Sequence, residues 1–564
     1  MKRGSLYWYS IVSTSGSRAS LFLIVVSLLC FLPGFVSLPA VDRDEARYAQ
    51  ASRQMVASGD WIDIRLQEVP RHKQPAGIYW AQSLFVSLLG ENGDAPIWVH
   101  RLPSLIAAIA SVLLTYWIAI PLVGAGPAFL AGMAMAGSLI LGVEARLAKT
   151  DATLLATILT AQGVLARVYL SHKLNRPEFL SGRRSYLLPL AFWTALAVGA
   201  LVKGPLILLF VGFTAVSLAI SERSVGFLSK LRPLPGTLWF LAIVLPWYIA
   251  IGIRTDGLFY EKAIGFNIVG KISQGHEGHG APPFTHIAWF WGIFWPGSIL
   301  FALSLGELWK RRREPWLKFL ICWTVPSWIA FELITTKLPH YLLPVFPAIA
   351  IATAGVLGSR PWIVRSLPGI RLVKTAQVLL SISSVLSITA IAWKAQGEIF
   401  NVAVVAAAIL SLLAFSLVFR WSGRALASQN LPGFYCALVF GVISFYWLTY
   451  PLIARVPFLW PGPQIAKIIA AESGEERPLL ISAGYEEPSL VFNTRTDIVL
   501  ASGGETARLM AESKGAIAIL EKSQLPDFLI RKKELNLVVK EIGEISAANI
   551  GGGDLLELKI VKTP

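Results

Sequence analysis

The amino-acid sequence predicts an all-α polytopic membrane protein, with surface helices on one face and a small C-terminal α/β domain. Three observations lead there. Hydrophobic residues make up 55% of the chain and charged ones 15%, with a mean hydropathy of +0.60. A soluble domain is about a quarter charged, so this apolar excess has to be housed in lipid. The apolar residues also fall into runs of about 20, the length that crosses a bilayer as helix. Finally, the basic residues collect in alternate loops between those runs.

About thirteen runs qualify, near 19–38, 99–123, 125–143, 150–171, 186–202, 204–221, 235–253, 287–307, 316–336, 340–357, 374–394, 398–419 and 433–453. With the N-terminus inside, one cytoplasmic loop holds Lys173, Arg176, Arg183 and Arg184, and the next holds Arg223, Lys230 and Arg232. The stretch Lys310-Arg311-Arg312-Arg313, the group Arg360, Arg365, Arg371 and Lys374, and the pair Arg420 and Arg424 fall on the same side. The net charge of +16 is therefore read as topology and attraction to anionic lipid, with no nucleic-acid partner. Lys2 and Arg3 imitate a signal peptide, but the run after them is long for one, and an uncleaved first span is expected. Cys30, Cys322 and Cys436 lie in apolar runs without ligand spacing and read as small buried hydrophobes.

The other side receives a loop at 39–98, a turn at 144–150, the junction at Lys203, a loop at 254–286, the junction around Thr335 to His340, and everything after about 455. Residues 1–455 thus read as a membrane domain and 456–564 as an outer α/β domain. In the latter, 478–483, 497–501, 515–520, 535–539 and 555–561 read as strands and 504–514 as a helix.

The first outer loop opens Val41-Asp42-Arg43-Asp44-Glu45-Ala46-Arg47-Tyr48 and runs to Ser58-Gly59-Asp60-Trp61. Acids in the first turn and a glycine past the end predict a capped helix lying along the membrane surface, with Asp44 and Tyr48 on one face. A solvated helix start with local ion pairs is the plainer alternative. The continuation Pro70-Arg71-His72-Lys73-Gln74-Pro75, then Tyr79-Trp80 and an amphipathic segment to about Gly90, suits a lid over an interfacial cavity better. Other ionisable groups meet this face: Arg101, the crowded Glu144, Arg146, Lys149 and Asp151, Lys203 before Gly204-Pro205, and Lys337, His340 and Tyr341 around Pro339. Charges at such depth need partners or a polar cavity, although snorkelling accounts for Arg101 or Lys203 taken singly.

The 254–286 loop carries Lys262, Asn267, Lys271, His276, Glu277, His279 and His286. His276-Glu277-x-His279 lacks the helical zinc spacing and is interrupted by glycines, so a substrate loop is preferred to a metal site. There is no P-loop and no dinucleotide fingerprint. An activated substrate for an outer-face site is expected to arrive on lipid.

The run Arg43-Asp44-Glu45-Ala46-Arg47-Tyr48, then Ser58-Gly59-Asp60-Trp61, Lys73-Gln74-Pro75 and Thr336-Lys337-Leu338-Pro339-His340-Tyr341-Leu342-Leu343-Pro344, resembles the lipid A aminoarabinose transferase family. That family sits among the polytopic GT-C glycosyltransferases, beside the protein O-mannosyltransferases. The resemblance implies a multi-pass inner-membrane enzyme with periplasmic surface helices and a periplasmic C-terminal domain. It implies an inverting transfer of 4-amino-4-deoxy-L-arabinose or a similar sugar, from a polyprenyl-phosphate donor to lipid A or another envelope glycolipid. Asp44 matches the acid such enzymes need, Glu45 completes the pair, and Asp151 matches a second acidic position, giving the catalytic set. Tyr48, Lys73, Lys203, Lys337 and Tyr341 match positions expected to hold phosphates or sugar hydroxyls. Arg47, Tyr79, Arg101 and His340 join them as substrate-binding candidates. His72 stands where the family often has glutamate, so no metal ligand is assigned and no cofactor is named; a divalent metal at the periplasmic site is left open. Galacturonate or mannose as the sugar, core oligosaccharide or exported protein as the acceptor, and a lipid-linked sugar transporter are the competing readings.

Overall fold

The computed structural model describes residues 16–41, 43–91, 93–263, 281–359, 367–396, 401–428, 430–473, 477–549 and 555–564. After α1 (Gly16–Phe31), the surface helices α2 (Asp44–Ser58) and α3 (Gly77–Leu89) flank a two-stranded hairpin, β1 (Arg65–Leu66) and β2 (Val69–Pro70). Helix α2 stops where expected, because Gly59 takes a left-handed conformation (φ 70°) and its N–H bonds back to Met55 O. Ser52 Oγ bonds Gln82 Oε1 at 3.0 Å and ties α2 to α3.

The bundle continues with α4 (Ile97–Val123), α5 (Ala125–Ala136), α6 (Leu139–Glu144), α7 (Asp151–Lys173), α8 (Arg184–Lys203), α9 (Leu206–Glu222) and α10 (Pro233–Arg254). Then come α11 (Thr285–Ile293), α12 (Gly297–Arg311), α13 (Pro315–Leu333), and a 3-10 turn Pro339–Val345 leading into α14 (Phe346–Ser359). Helices α15 (Leu367–Gln396), α16 (Val402–Ala427) and α17 (Leu431–Ile453) complete it. The chain is a multi-pass membrane protein: eight helices among the described residues are long and apolar enough to cross a bilayer, or nine if the α11–α12 pair, bent by 114°, counts as one. Each of the thirteen predicted runs overlaps a helix among the described residues, but several of those helices are short or broken.

Two kinds of helix face explain the packing. The Ala- and Gly-rich α5 is buried along its length against α14, also built of small residues, so the two backbones approach closely. By contrast α15 and α16 turn Leu379, Ile382, Leu386, Ile409, Leu410 and Leu413 outward, as a lipid-facing surface requires.

Past α17, helix α18 (Pro461–Ser473) leads into β3 (Leu480–Ala483), α19 (Pro488–Asn493), β4 (Val499–Leu500), α20 (Gly503–Glu512), β5 (Ile517–Glu521), α21 (Leu525–Glu534), β6 (Lys540–Ala548) and β7 (Leu555–Lys562). The sheet order is β4-β3-β5-β7-β6, with β3 parallel to β4 and β5 and the remaining pairs antiparallel. One expectation is corrected. The predicted strand at 535–539 is the exit of α21, where Leu535 N and Leu537 N bond to Arg531 O and Lys532 O, and the pairing strand is β6. Only Ile545 and Ala547 of β6 are buried, so its alternation is faint in the sequence.

This α/β unit grips α2. Phe492 packs under the Arg53 guanidinium (4.3 Å) and edge-on to His100 (5.5 Å). Gln50 Nε2 donates to Thr496 Oγ1 at 2.7 Å, and Gln67 Nε2 donates to the carbonyls of Thr496 and Ile498 at 2.9 and 2.8 Å.

Candidate active site

The start of α2 has no side-chain cap, and Glu45 in its first turn instead ties it to the segment before it and to the 144–150 turn. Its Oε2 accepts from Val41 N (2.9 Å) and its Oε1 from Ala148 N (2.8 Å). Arg101 closes on the same carboxylate, Nε to Oε1 at 2.8 Å and Nη2 to Oε2 at 2.9 Å. The guanidinium's other N–H groups go to the carbonyls of Phe35, Leu38 and Pro39. All five donors of Arg101 are thereby used. Glu45 is 1% exposed and Arg101 0%. Neither has an atom left for a substrate, which departs from the catalytic and binding roles expected for them.

Asp44 precedes Glu45, and one residue of helix turns its side chain through about 100°. Its side chain is 53% exposed, and Arg47 lies 3.9 Å away, too far for a hydrogen bond. One turn on, Tyr48 is buried and donates to Gln74 Oε1 at 2.5 Å. Its ring lies 5.3 Å from Tyr79 and beneath the Arg71 guanidinium at 5.1 Å. Arg71 Nε donates to Tyr79 Oη at 2.9 Å. Among the described residues no carboxylate lies within ion-pair distance of Arg71, although it is only 8% exposed. Burial opposes its charge, but Tyr79, Tyr48 and Asp44 outweigh that and hold its pKa above the ordinary value. Burial, with Tyr79 and Asp44, pushes the Tyr48 phenol well up, so it remains an O–H donor.

Beside this lies a buried ion network drawn from four segments. Lys203, at the end of α8, reaches Asp151 Oδ1, at the start of α7, at 2.5 Å. The reversal that leaves Lys203 there is made by Gly204 at φ 66°. Lys149 stands 3.4 Å from Glu144 Oε1 and 3.8 Å from Asp151 Oδ2. His340 spans the acids, Nδ1 at 3.6 Å from Glu144 Oε1 and Nε2 at 3.7 Å from Asp151 Oδ1. Burial pushes the Glu144 carboxyl up to about 7, with Lys149 pulling the other way. Lys149 is raised: burial opposes its charge, but Glu144, Asp151 and Asp44 prevail, so Asp44 is felt by the network.

The remaining expected residues fall elsewhere. Lys337 is buried, and its ammonium donates to Ile334 O (2.8 Å) and Ala281 O (3.1 Å). His286 pairs nearby with Glu332 at 3.5 Å. Tyr341 stands edge-on to His340, with ring centroids 5.1 Å apart. Lys73 is exposed at the rim. His72 is buried and bonds Asp63 Oδ1 at 3.1 Å, while Arg65 donates to Oδ2 at 2.8 Å. It therefore anchors the β1–β2 hairpin. Asn267, Lys271, His276, Glu277 and His279 lie outside the described residues. Among the described residues no group of His, Cys, Asp and Glu is arranged to hold a metal. Glu144 and Asp151 already face the ammonium groups of Lys149 and Lys203. Arg71, Gln74, Glu144 and Lys149 were not singled out as site residues. Glu144 and Lys149 did announce themselves by crowding one short turn; Arg71 stands in the basic stretch 70–75 that reads as part of a lid, with nothing to set it apart from its neighbours.

The chain is thus a many-span membrane bundle with paired surface helices and a buried ion network at one end. Residues 73–249 match the family model for dolichyl-phosphate-mannose-protein mannosyltransferase. The chain is 27% identical over 314 residues to the undecaprenyl phosphate-alpha-4-amino-4-deoxy-L-arabinose arabinosyl transferase of Edwardsiella ictaluri, covering 55% of this chain and 54% of that one. It is 28% identical over 333 residues to the enzyme of the same name from Aeromonas salmonicida, covering 58% of each. The matches thus span a little over half the length of these relatives. The fold extends further: the crystal structure of ArnT from Cupriavidus metallidurans bound to undecaprenyl phosphate superposes with a TM-score of 0.74 at 19% identity, over 97% of this chain and 98% of that one.

Proposed function

We propose that the chain is a glycosyltransferase of the inner membrane. On the periplasmic face it moves 4-amino-4-deoxy-L-arabinose, or a closely related sugar, from a polyprenyl-phosphate donor to lipid A or another envelope acceptor. One observation supports this above the others. Asp44, half exposed on its helix, lies near a buried guanidinium that has no carboxylate within ion-pair distance among the described residues, and near an ion network at the end of the bundle. The names of the relatives and the undecaprenyl phosphate bound to the Cupriavidus protein point to the same chemistry.

In this reading the bond between the anomeric carbon and the phosphate oxygen breaks, and its electron pair stays on the departing phosphate. The Arg71 guanidinium and the phenol of Tyr79 stabilise that charge, Tyr48 holds the guanidinium over its ring, and Lys73, at the rim, meets the lipid-borne phosphate as it arrives. Fixed donors of this kind contribute about 3–4 kcal/mol each in a water-poor site. The acceptor oxygen attacks from the opposite side and inverts the centre. Asp44 steadies the positive charge developing on the sugar, and takes the proton if the acceptor is a hydroxyl. An acceptor phosphate is already ionised and needs only positioning. Membrane lipids hold both substrates in the plane of the site.

The test is transfer in membranes, read as the mass change of lipid A. Asp44→Asn is expected to lower transfer by about 100-fold or more at normal protein abundance; undiminished transfer overturns the assignment. The match to a protein mannosyltransferase model favours a second reading, in which exported protein is the acceptor. Mass analysis of exported proteins from a deletion strain separates the two.

A further inference from the structure

Among the described residues two acids keep a buried oxygen without a hydrogen-bond partner, Glu332 with both and Glu144 with one, and of the two it is Glu144 that sits in the ion network beside Asp151. Glu45 receives four donors, and Glu222 receives Lys173, Lys318 and the Tyr169 hydroxyl. Both oxygens of Asp151 face cations. In Glu144 one oxygen alone is engaged: Oε1 faces Lys149 and His340, while Oε2 is buried and has no hydrogen-bond partner among the described residues. The side chain is 3% exposed. A buried oxygen left without a donor is destabilising unless a ligand supplies one.

We infer that Glu144 Oε2 is the point at which this enzyme takes hold of the transferred sugar, accepting a hydrogen bond from one of its hydroxyl or amine groups. The inference rests on the transferase reading and deepens it. Chemistry selects the partner. On a polyprenyl-phosphate sugar the lipid carries no donor, and the phosphodiester is an anion that a carboxylate repels. The donors that remain belong to the sugar. Position agrees, since Glu144 shares His340 and Lys149 with Asp151, and Lys149 also feels Asp44. A sugar held here therefore lies among the acids that stabilise its positive charge. Glu144 is on this account a specificity-determining residue, and it discriminates between sugars by the group opposite Oε2.

The experiment uses the purified full-length protein in lipid nanodiscs with two probes. One is undecaprenyl phosphate, which carries no sugar. The other is undecaprenyl-phosphate aminoarabinose, together with analogues lacking one hydroxyl or the amine in turn. In Glu144→Gln, Lys149 holds the amide oxygen and leaves the NH2 facing the sugar. The variant is expected to keep its affinity for undecaprenyl phosphate within about twofold, while kcat/KM for the sugar donor falls about tenfold, the size of one hydrogen bond. One analogue should lose as much in the unaltered enzyme and nothing further in the variant. Equal loss of affinity for undecaprenyl phosphate overturns the inference, because Glu144 then only holds Lys149 and His340 in place. So does an analogue series in which every loss adds to that of the variant. If Glu144→Gln fails to fold, the analogue series on the unaltered enzyme decides, since at least one analogue must lose about tenfold. Absence of transfer by the unaltered protein overturns the transferase reading and the inference together; transfer without discrimination overturns the inference alone.

Discussion

Replacing Glu45 with glutamine tests whether this residue serves chemistry or architecture. Four N–H groups converge on its carboxylate, two of them from a fully buried guanidinium. An amide keeps the shape but removes the charge, and it turns an NH2 toward donors that need an oxygen. Breaking one side of a buried ion pair costs about 3–5 kcal/mol. That is a large share of the roughly 5–15 kcal/mol that holds a typical fold together. Arg101→Met should cost a similar amount, since it leaves Glu45 charged and unpaired and releases the carbonyls of Phe35, Leu38 and Pro39. The double variant Glu45→Met/Arg101→Met should cost less than the two singles together, by about 2 kcal/mol or more, because neither charge is then stranded. The assay is thermal unfolding of the purified protein, read beside transfer per folded molecule. Both singles should lower the unfolding midpoint while folded molecules keep most of their activity. A Glu45→Gln protein with an unchanged midpoint and abolished transfer would refute the architectural role and restore Glu45 to the chemistry.

Other perturbations separate the remaining roles. Arg71→Met should weaken equilibrium binding of undecaprenyl phosphate by about 10- to 100-fold with little change in the unfolding midpoint, the size of a charge-assisted contact; unchanged affinity removes Arg71 from the phosphate site. Phe492→Ala empties the seat between Arg53 and His100 and should destabilise by about 3–5 kcal/mol. Faster amide exchange along Asp44–Ser58 is the readout, and unaltered exchange would show that the α/β unit does not brace this helix. At the opposite end of the bundle, burial opposes the charge of Glu222, but Lys173, Lys318 and Tyr169 prevail and lower its pKa from 4.5 to about 2. The folded value lies below the unfolded one. The stabilisation is therefore present above about pH 4.5 and lost as pH falls toward 2. The difference in midpoint between the unaltered protein and Glu222→Gln should shrink over that range, and a difference that persists at the acid end would contradict the assignment.

How much of this was legible in the sequence depends on the distance over which each interaction acts. The spans were readable because hydrophobic length is a local property, and α2 because its acids and Gly59 mark its own ends. The number of crossings was less so: 125–143 breaks at Gly137 and Ser138, and 287–307 bends between α11 and α12. Tertiary partnerships left no local trace. Arg101 lies 56 positions from Glu45, and a charged residue near a span end reads equally as substrate-binding or snorkelling. Lys337 had the company of His340 and Tyr341 in sequence, but its ammonium turns to backbone carbonyls. Glu144 was visible as part of a crowd, whereas the fact that its Oε2 is buried without a partner among the described residues depends on how the neighbouring segments pack.

The neighbouring acids of α2 also give its register a meaning. Asp44 and Glu45 differ by one methylene and one position, yet one looks toward the site and the other is sealed into the scaffold. A slip of one residue in the segment leading into the helix would put Ala46 opposite Arg101 in one direction, and in the other would put the shorter Asp44 there and Arg43 in the exposed place. The knot at Glu45 therefore works as an index pin. It tolerates only the rotational setting of α2 in which Glu45 meets Arg101 and Asp44 stays on the exposed side, so a misregistered chain is penalised as a folding error.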